Sequence, residues 1–293
     1  MMLLLATLLT VAPATPHRVE IGVYVLNIGK FELASGGYTV DFYLRLHADE
    51  PLGPLALEFL NGRAQSELLQ TEDEGKTQLY RVLANLSTNI DLRRYPLDGQ
   101  RLPIVLEHKV LQDKDFVFVA DPAHSGVDPD VTFVGWDLTG AESKVVTHDY
   151  PVFGERYSRF LFDVKIERIR IPAVLKTFLP IFCFVLINLL SMFITLEKID
   201  NRLSMGIGIL IASVMFHVSL GNTIPPVGYL TLVDKAMIAS YVVVGTNLLI
   251  TVLVMRRMQG GARELAQKLV ARGDLVLPTV VVAAFLVALT HGT

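Results

Sequence analysis

Six residues at helical spacing carry the most suggestive chemistry in this sequence. In the stretch NRLSMGIGILIASVMFHVSLGNTIPP, from Asn201 to Pro226, a period of 3.6 puts Ser204, Gly208, Ile211, Met215 and Val218 on one stripe, with Asp200 just outside its small-residue end. A stripe that runs from a carboxylate through small and polar side chains to bulky apolar ones can line a water path. The charge at the mouth acts on ions by sign, and the apolar end can close the path by dewetting. The same stripe also fits an ordinary bundle helix whose Gly and Ser pack against neighbours, and the segment alone leaves both readings open. Glu197, Lys198 and Arg202 lie beside Asp200 and mix the sign of the local charge. His217, on the same helix, is expected to face a neighbouring helix, with a pH-sensing role as the alternative.

Other chemistries find little support. The net charge of -3 gives no case for nucleic acid, and the chain holds no Gly-rich phosphate loop, no paired His/Cys metal spacing and no internal repeat. Ser, His and Asp are present but form no recognisable nucleophile motif, so an enzyme is not expected. Cys183 is the only cysteine and lies in an apolar run, which excludes an intrachain disulfide and marks it as a small hydrophobe. The acids Asp113, Asp115, Asp121, Asp128, Asp130 and Asp137 could include a Ca²⁺ site or proton sensors, against the simpler reading of a solvated acidic face. No cofactor is expected beyond such Ca²⁺ modulation.

The elements that position these residues divide the chain in two. Residues 1–170 hold 17 Lys+Arg against 24 Asp+Glu, whereas residues 171–293 hold 9 against 5, so charge density collapses and its sign reverses at the boundary. Residues 1–14 read as a signal peptide with an Ala12-Pro13-Ala14 site, though without Lys or Arg in the n-region. Residues 15–170 read as a β-rich domain. In TVDFYLRL, Val40, Phe42, Leu44 and Leu46 fall on one face and Thr39, Asp41, Tyr43 and Arg45 on the other. Further strands are expected at 19–28, 78–86, 102–110, 115–120, 131–138, 144–149 and 158–169, and turn signals such as Asn61-Gly62 and Asp98-Gly99 separate them. That pattern fits an immunoglobulin-like sandwich of about ten strands.

Residues 171–293 supply four apolar spans, at about 171–195, 203–224, 230–255 and 275–290, of which the last is short unless its flanks are included. The basic stretch RRMQGGARELAQKLVARGD between the third and fourth is expected on the cytoplasmic side. Four spans then put the β-domain and the C-terminus outside, in agreement with export, and Asp200 at the cytoplasmic end of the second span. The localisation expected is the bacterial inner membrane.

A β-sandwich followed directly by four such helices resembles the pentameric ligand-gated ion channels, and motifs agree along the whole chain. The family's F-P-F-D-x-Q loop is matched by Tyr95-Pro96-Leu97-Asp98-Gly99-Gln100. The two cysteines that close this loop in animal members are replaced by Thr88 and Leu102, as in the prokaryotic branch. VEIGVYVLNIGKFEL, PLALEFLN, HSGVDPDVTFVGWDL and NTIPPVGYLTLVDK also look like family segments.

The resemblance implies a homopentamer in a lipid bilayer, opened by a small molecule, protons or a divalent ion, with permeant ions passing between five copies of the second helix. It assigns Asp200, Ser204, Gly208, Ile211, Met215 and Val218 to the pore, with the Asp200 carboxylates favouring cations. It assigns Glu32, Pro96, Asp98, Arg168, Pro225 and Pro226 to coupling between the domains, where an Arg can hold two carboxylates in a fixed fork. Agonist would bind between adjacent β-domains, among Tyr43, Arg45, Phe59, Phe133, Tyr150, Phe153 and Tyr157. Aromatics there suit a cation, whereas Arg45 and Arg156 suit an anion. A non-conducting membrane sensor of the same fold is the alternative.

Overall fold

The computed structural model describes residues 16–54 and 56–290, so the expected signal peptide lies outside the described residues. The β-domain is built from β1 (His17–Ile28), β2 (Gly37–His47), β3 (Leu57–Phe59), β4 (Gly62–Glu72), β5 (Thr77–Ser87), β6 (Gly99–His108), β7 (Phe116–Ala120), β8 (Gly126–Val127), β9 (Trp136–Tyr150) and β10 (Glu155–Arg168). They form two sheets. One runs β4-β5-β2-β1-β7 with β8 also on β1, and the other runs β3-β6-β10-β9.

β2 alternates as its sequence requires: Val40, Phe42, Leu44 and Leu46 are buried, and the residues between them face outward. Its inward face meets Leu102, Ile104, Leu106, Phe160, Phe162 and Val164 from the second sheet in one core. Three differences from expectation have physical causes. β4, GRAQSELLQTE, is a polar edge strand exposed along nearly its whole length, so it has no buried face to impose an apolar alternation. The expected strands at 131–138 and 144–149 are a single strand, β9, which starts only at Trp136. Residues 131–135 turn instead, with Gly135 at φ 85°, a conformation that favours glycine.

The helical half consists of α1 (Arg170–Leu190), α2 (Ile199–Gly221), α3 (Leu232–Gln259) and α4 (Arg263–Thr290), each containing a stretch long and apolar enough to cross a membrane. α4 begins at Arg263, well before the expected start of the last span. Its first turns therefore take up most of the basic stretch, and only residues 260–262 connect it to α3. α3 starts on a capping box: Thr231 accepts from Asp234 N–H while the Asp234 carboxylate accepts from Thr231 N–H at 2.8 Å.

α3 is the most enclosed of the four, and α2 packs along it. Gly206 permits that approach, since a Cβ there would lie 2.5 Å from Leu248 Cδ2, whereas a Cβ at Gly208 would meet nothing. The two glycines thus differ in role: Gly206 is a packing contact and Gly208 belongs to the open face. One turn below, Arg202 donates to Asn247 Oδ1 at 2.7 Å. Asn247 in turn donates to Asn188 Oδ1 and to Ser191 Oγ, each at 2.9 Å, so a buried polar cluster joins α1, α2 and α3. Gly206→Ala should destabilise the folded protein by about 1–3 kcal/mol through overpacking, and Gly208→Ala should not. Thermal unfolding of the two variants in detergent checks this.

Candidate functional site

The stripe that opens the sequence reading forms one continuous exposed face of α2. Asp200, Ser204, Gly208, Ile211, Met215 and Val218 are all exposed in the single chain, while Ile199, Arg202, Gly206, Ile209 and Ser213 are buried on the opposite face. The charges around Asp200 separate by side. Arg202 turns inward and is 1% exposed, and Glu197 accepts from Arg263 at 2.6 Å at the start of α4. Lys198 and Asp200 remain exposed at this end.

Where the domains meet, Arg168, the last residue of β10, donates from Nε to Asp98 Oδ1 at 2.8 Å and from Nη2 to Asp98 Oδ2 at 3.2 Å. Its guanidinium also lies 4.3 Å from the Trp136 ring centre and 5.0 Å from that of Tyr95, so the cation meets two aromatic rings. Asp98 is almost wholly buried and takes a third hydrogen bond, from Gln100 Nε2 at 2.9 Å. Tyr95 in turn packs against the cluster of Ile181, Val233, Ala236 and Met237 at the top of the helices. Pro96 is buried beside it.

The same loop holds the α2–α3 connection. Leu92 N–H donates to the Tyr229 hydroxyl at 2.8 Å, Leu232 N–H donates to the Arg93 carbonyl at 2.9 Å, and the Arg93 guanidinium lies 4.6 Å from the Tyr229 ring centre. Pro225 and Pro226 belong to this connection without taking part in those contacts. Glu32 does not join Arg168: in this chain its partners are Lys30 at 3.0 Å and Ser35 at 3.4 Å. The β1–β2 turn carries its own local pairs, and the fork of Arg168 is filled by one carboxylate, not two.

The expected ligand residues fall into separate groups. Tyr43 and Arg45 face outward from β2 and, with Tyr24, Leu79 and His124, line a concavity of about 320 Å³. Arg45 donates to Asp121 at 3.0 Å, and His124 Nδ1 lies 2.6 Å from the same carboxylate. Burial alone would raise the Asp121 carboxyl, but the hydrogen bonds from His124 and the charges of His124 and Arg45 outweigh it and hold the group below the usual aspartate value.

On the other sheet, Tyr150 and Tyr157 stack edge to face at 5.7 Å, and His148 stands 4.7 Å from Tyr150. Behind them is an ion pair that the sequence reading did not anticipate. Arg159 donates to Glu107 Oε1 at 2.6 Å, and the Tyr150 hydroxyl donates to Glu107 Oε2 at 3.0 Å. Burial, followed by the Glu107 carboxylate, pushes the Tyr150 hydroxyl up. Phe153 sits at the hairpin tip and is 73% exposed.

Two candidates lie elsewhere. Phe59 packs edge to face on Phe42 at 6.2 Å in the sandwich core. Phe133 packs on Phe31 at 6.4 Å beside Trp136, near the Arg168 cluster. Neither stands with the tyrosines. The acids are spread out as well: Asp113 pairs with Arg156, Asp121 with Arg45, and Asp128 accepts from Tyr24. Among the described residues no group of three metal-ligating side chains occurs.

Two expectations follow. Asp98→Asn leaves the mostly enclosed Arg168 cation against a neutral partner and should cost about 3–5 kcal/mol, read as a lowered thermal midpoint of the β-domain; a cost under about 1 kcal/mol would mark an exposed pair instead. Because the Asp121 carboxyl is depressed, the stability it contributes is full above the ordinary aspartate value and is lost as pH falls through the lower one. The Ala123 and His124 amides, which Asp121 Oδ1 accepts from at 3.1 and 3.2 Å, should therefore lose hydrogen-exchange protection only below about pH 4.

Comparison with known proteins agrees with this architecture. No family model matches the chain. A proton-gated ion channel of Gloeobacter violaceus is 23% identical over 164 residues, 56% of this chain and 45% of that protein. The gamma-aminobutyric acid receptor subunit beta-4 of Gallus gallus is 24% identical over 194 residues, 65% of this chain and 40% of the subunit. The beta-like subunit of Drosophila melanogaster is 24% identical over 182 residues, 60% of this chain and 35% of the subunit. The chain thus spans less than half the length of the curated relatives it matches, and these relatives are channels and receptor subunits, not enzymes. A ten-stranded sandwich is joined to four apolar helices, and over more than half its length the chain is similar to a proton-gated ion channel and to gamma-aminobutyric acid receptor subunits.

Proposed function

We propose that this protein is a ligand-gated ion channel, a homopentamer whose pore is lined by the Asp200-to-Val218 face of α2. The observation that carries the proposal is the division of α2 into a face packed on α3 and an exposed face that starts at a carboxylate and ends in Ile211, Met215 and Val218. Five such faces around an axis make a charged mouth followed by apolar rings able to exclude water. Cation selectivity is supported by the inward turn of Arg202 and the pairing of Glu197 with Arg263, which leave Asp200 as the carboxylate at the start of the exposed face.

Agonist binding belongs between subunits. Tyr43 and Arg45 sit on one sheet and Tyr150 and Tyr157 on the other, so each chain carries two half-sites, and a neighbouring copy would bring unlike halves together. The ligand is a small molecule, protons or a divalent ion acting on this β-domain. Its effect would reach α2 through the hydrogen bonds that tie the Leu92–Arg93 backbone to Tyr229 and Leu232. The membrane is the bacterial inner membrane, with the β-domain outside.

Purified protein in planar bilayers should pass cation current, with the reversal potential in asymmetric salt following the cation gradient. Asp200→Asn should move that potential toward zero. An unchanged potential would remove Asp200 from selectivity, and a complete absence of current under every ligand and pH tried would favour a non-conducting sensor.

A further inference from the structure

The outer end of α2 meets α3 through side chains that can change charge. His217, one turn before the end of α2, sets Nε2 at 3.2 Å from Asp234 Oδ1 and Nδ1 at 3.1 Å from the Tyr241 hydroxyl. The other Asp234 oxygen is already engaged, accepting from Thr231 N–H at 2.8 Å and from the Thr231 hydroxyl at 2.9 Å. That cap holds the carboxylate on α3 irrespective of His217. The Tyr241 hydroxyl has a second partner as well, the Ser213 carbonyl on α2 at 3.4 Å.

Hydrogen-bond capacity makes this arrangement proton-dependent. A neutral imidazole has one N–H and one bare nitrogen, and an imidazolium has two N–H groups. Nε2 faces a carboxylate oxygen, which only accepts, so it carries a proton in either state. Nδ1 faces a hydroxyl, which can donate or accept. With neutral histidine, Tyr241 donates to Nδ1 and leaves the Ser213 carbonyl. With imidazolium, Nδ1 donates to the Tyr241 oxygen, and the hydroxyl proton turns to Ser213.

One added proton thus turns the His217–Asp234 hydrogen bond, already assisted by the charge of the carboxylate, into an ion pair. It also adds the Tyr241–Ser213 bond, and both are ties between α2 and α3. The ionisable groups against His217 both come from α3. Lys235, next to Asp234, lines the groove between α3 and α4 instead. α1 and α4 bring Phe184, on Phe216, and Phe285 to this level, with no ionisable group against His217 from either among the described residues. His217 and Asp234 keep 31% and 27% side-chain exposure in the single chain, which gives water a route to them.

We propose that His217 is a proton-binding site, and that the proton it takes up draws the outer end of α2 onto α3 and so retracts the exposed stripe from the pore axis. The direction follows from the packing, because α3 lies behind the buried face of α2, at Gly206 and Ser213, on the side away from the stripe. Acid then favours conduction. Ionisable groups within a membrane are costly unless they serve a purpose, and a histidine changes charge between pH 5 and 8. The conduction step rests on α2 lining the pore; proton uptake itself does not.

The test uses the full chain in planar bilayers, perfused on the β-domain side from pH 8 to pH 5 with protons as the only added ligand. Current should rise on acidification. His217→Gln, neutral throughout, should lower the acid-evoked current at least tenfold or move its midpoint by about one pH unit. Asp234→Asn should do the same, and Tyr241→Phe should shift it less. A wild-type channel indifferent to pH, or a His217→Gln channel with the wild-type response, overturns the site.

A second readout does not need current. In a Cys183→Ser background, spin labels on Gly221→Cys and Val242→Cys should approach each other in acid, and His217→Gln should abolish that change. Approach without current leaves the proton site standing and removes the pore reading. A distance that ignores pH removes the site.

Discussion

A single guanidinium fixes the face of the β-domain that meets the helices. Arg168 ends the last strand two residues before α1 begins, and its charge is matched by the buried Asp98 carboxylate while the Tyr95 and Trp136 rings lie against it. A mostly enclosed cation with two N–H bonds to one carboxylate has little freedom to move, since any displacement leaves the buried Asp98 charge without its partner. The loop that carries Asp98 is thereby fixed, and with it the backbone at Leu92 and Arg93 that receives the α2–α3 connection. Tyr95 extends the chain of contacts downward by packing among the helix tops. Strand end, loop, connection and helix are held by one arrangement.

How far this could be read in the sequence depends on whether each residue's environment is set locally. The alternation of β2 was legible because one face is buried and the other is not, so side-chain type and position agree residue by residue. The α2 stripe was legible for the same reason at helical period. β4 was not, because an edge strand needs only its backbone to pair. Phe59 and Phe133 have the right side chains for a ligand box, but strand register lays the first against Phe42 at the edge of the core, and the turn before β9 sends the second to Phe31. Glu32 has the right charge for the junction, but nearby Lys30 and Ser35 hold it. Glu107 and Arg159 lie far apart in sequence and meet only because β6 pairs with β10. No local pattern announces such a pair.

The two ends of α2 are fastened by different means. Its inner end is held by hydrogen bonds among side chains that are almost wholly buried, Arg202, Asn247, Asn188 and Ser191, and by the close approach at Gly206. Its outer end is held by partly exposed groups and by a connection bonded to the β-domain. Polar bonds sealed from water exchange slowly with alternatives, whereas partly exposed ones compete with it.

The enclosure of α3 sets where the membrane half can change. Its apolar stretch is 44% buried within one chain, against 17% for α2, and it carries the capping box, the Leu248 contact and Asn247. The fold of the helical half is therefore anchored in α3 and not in α2. Substitutions along the open face of α2 leave the fold nearly untouched, whereas an equal number in α3 removes the scaffold. Diversification of such a protein has a wide path through α2 and a narrow one through α3.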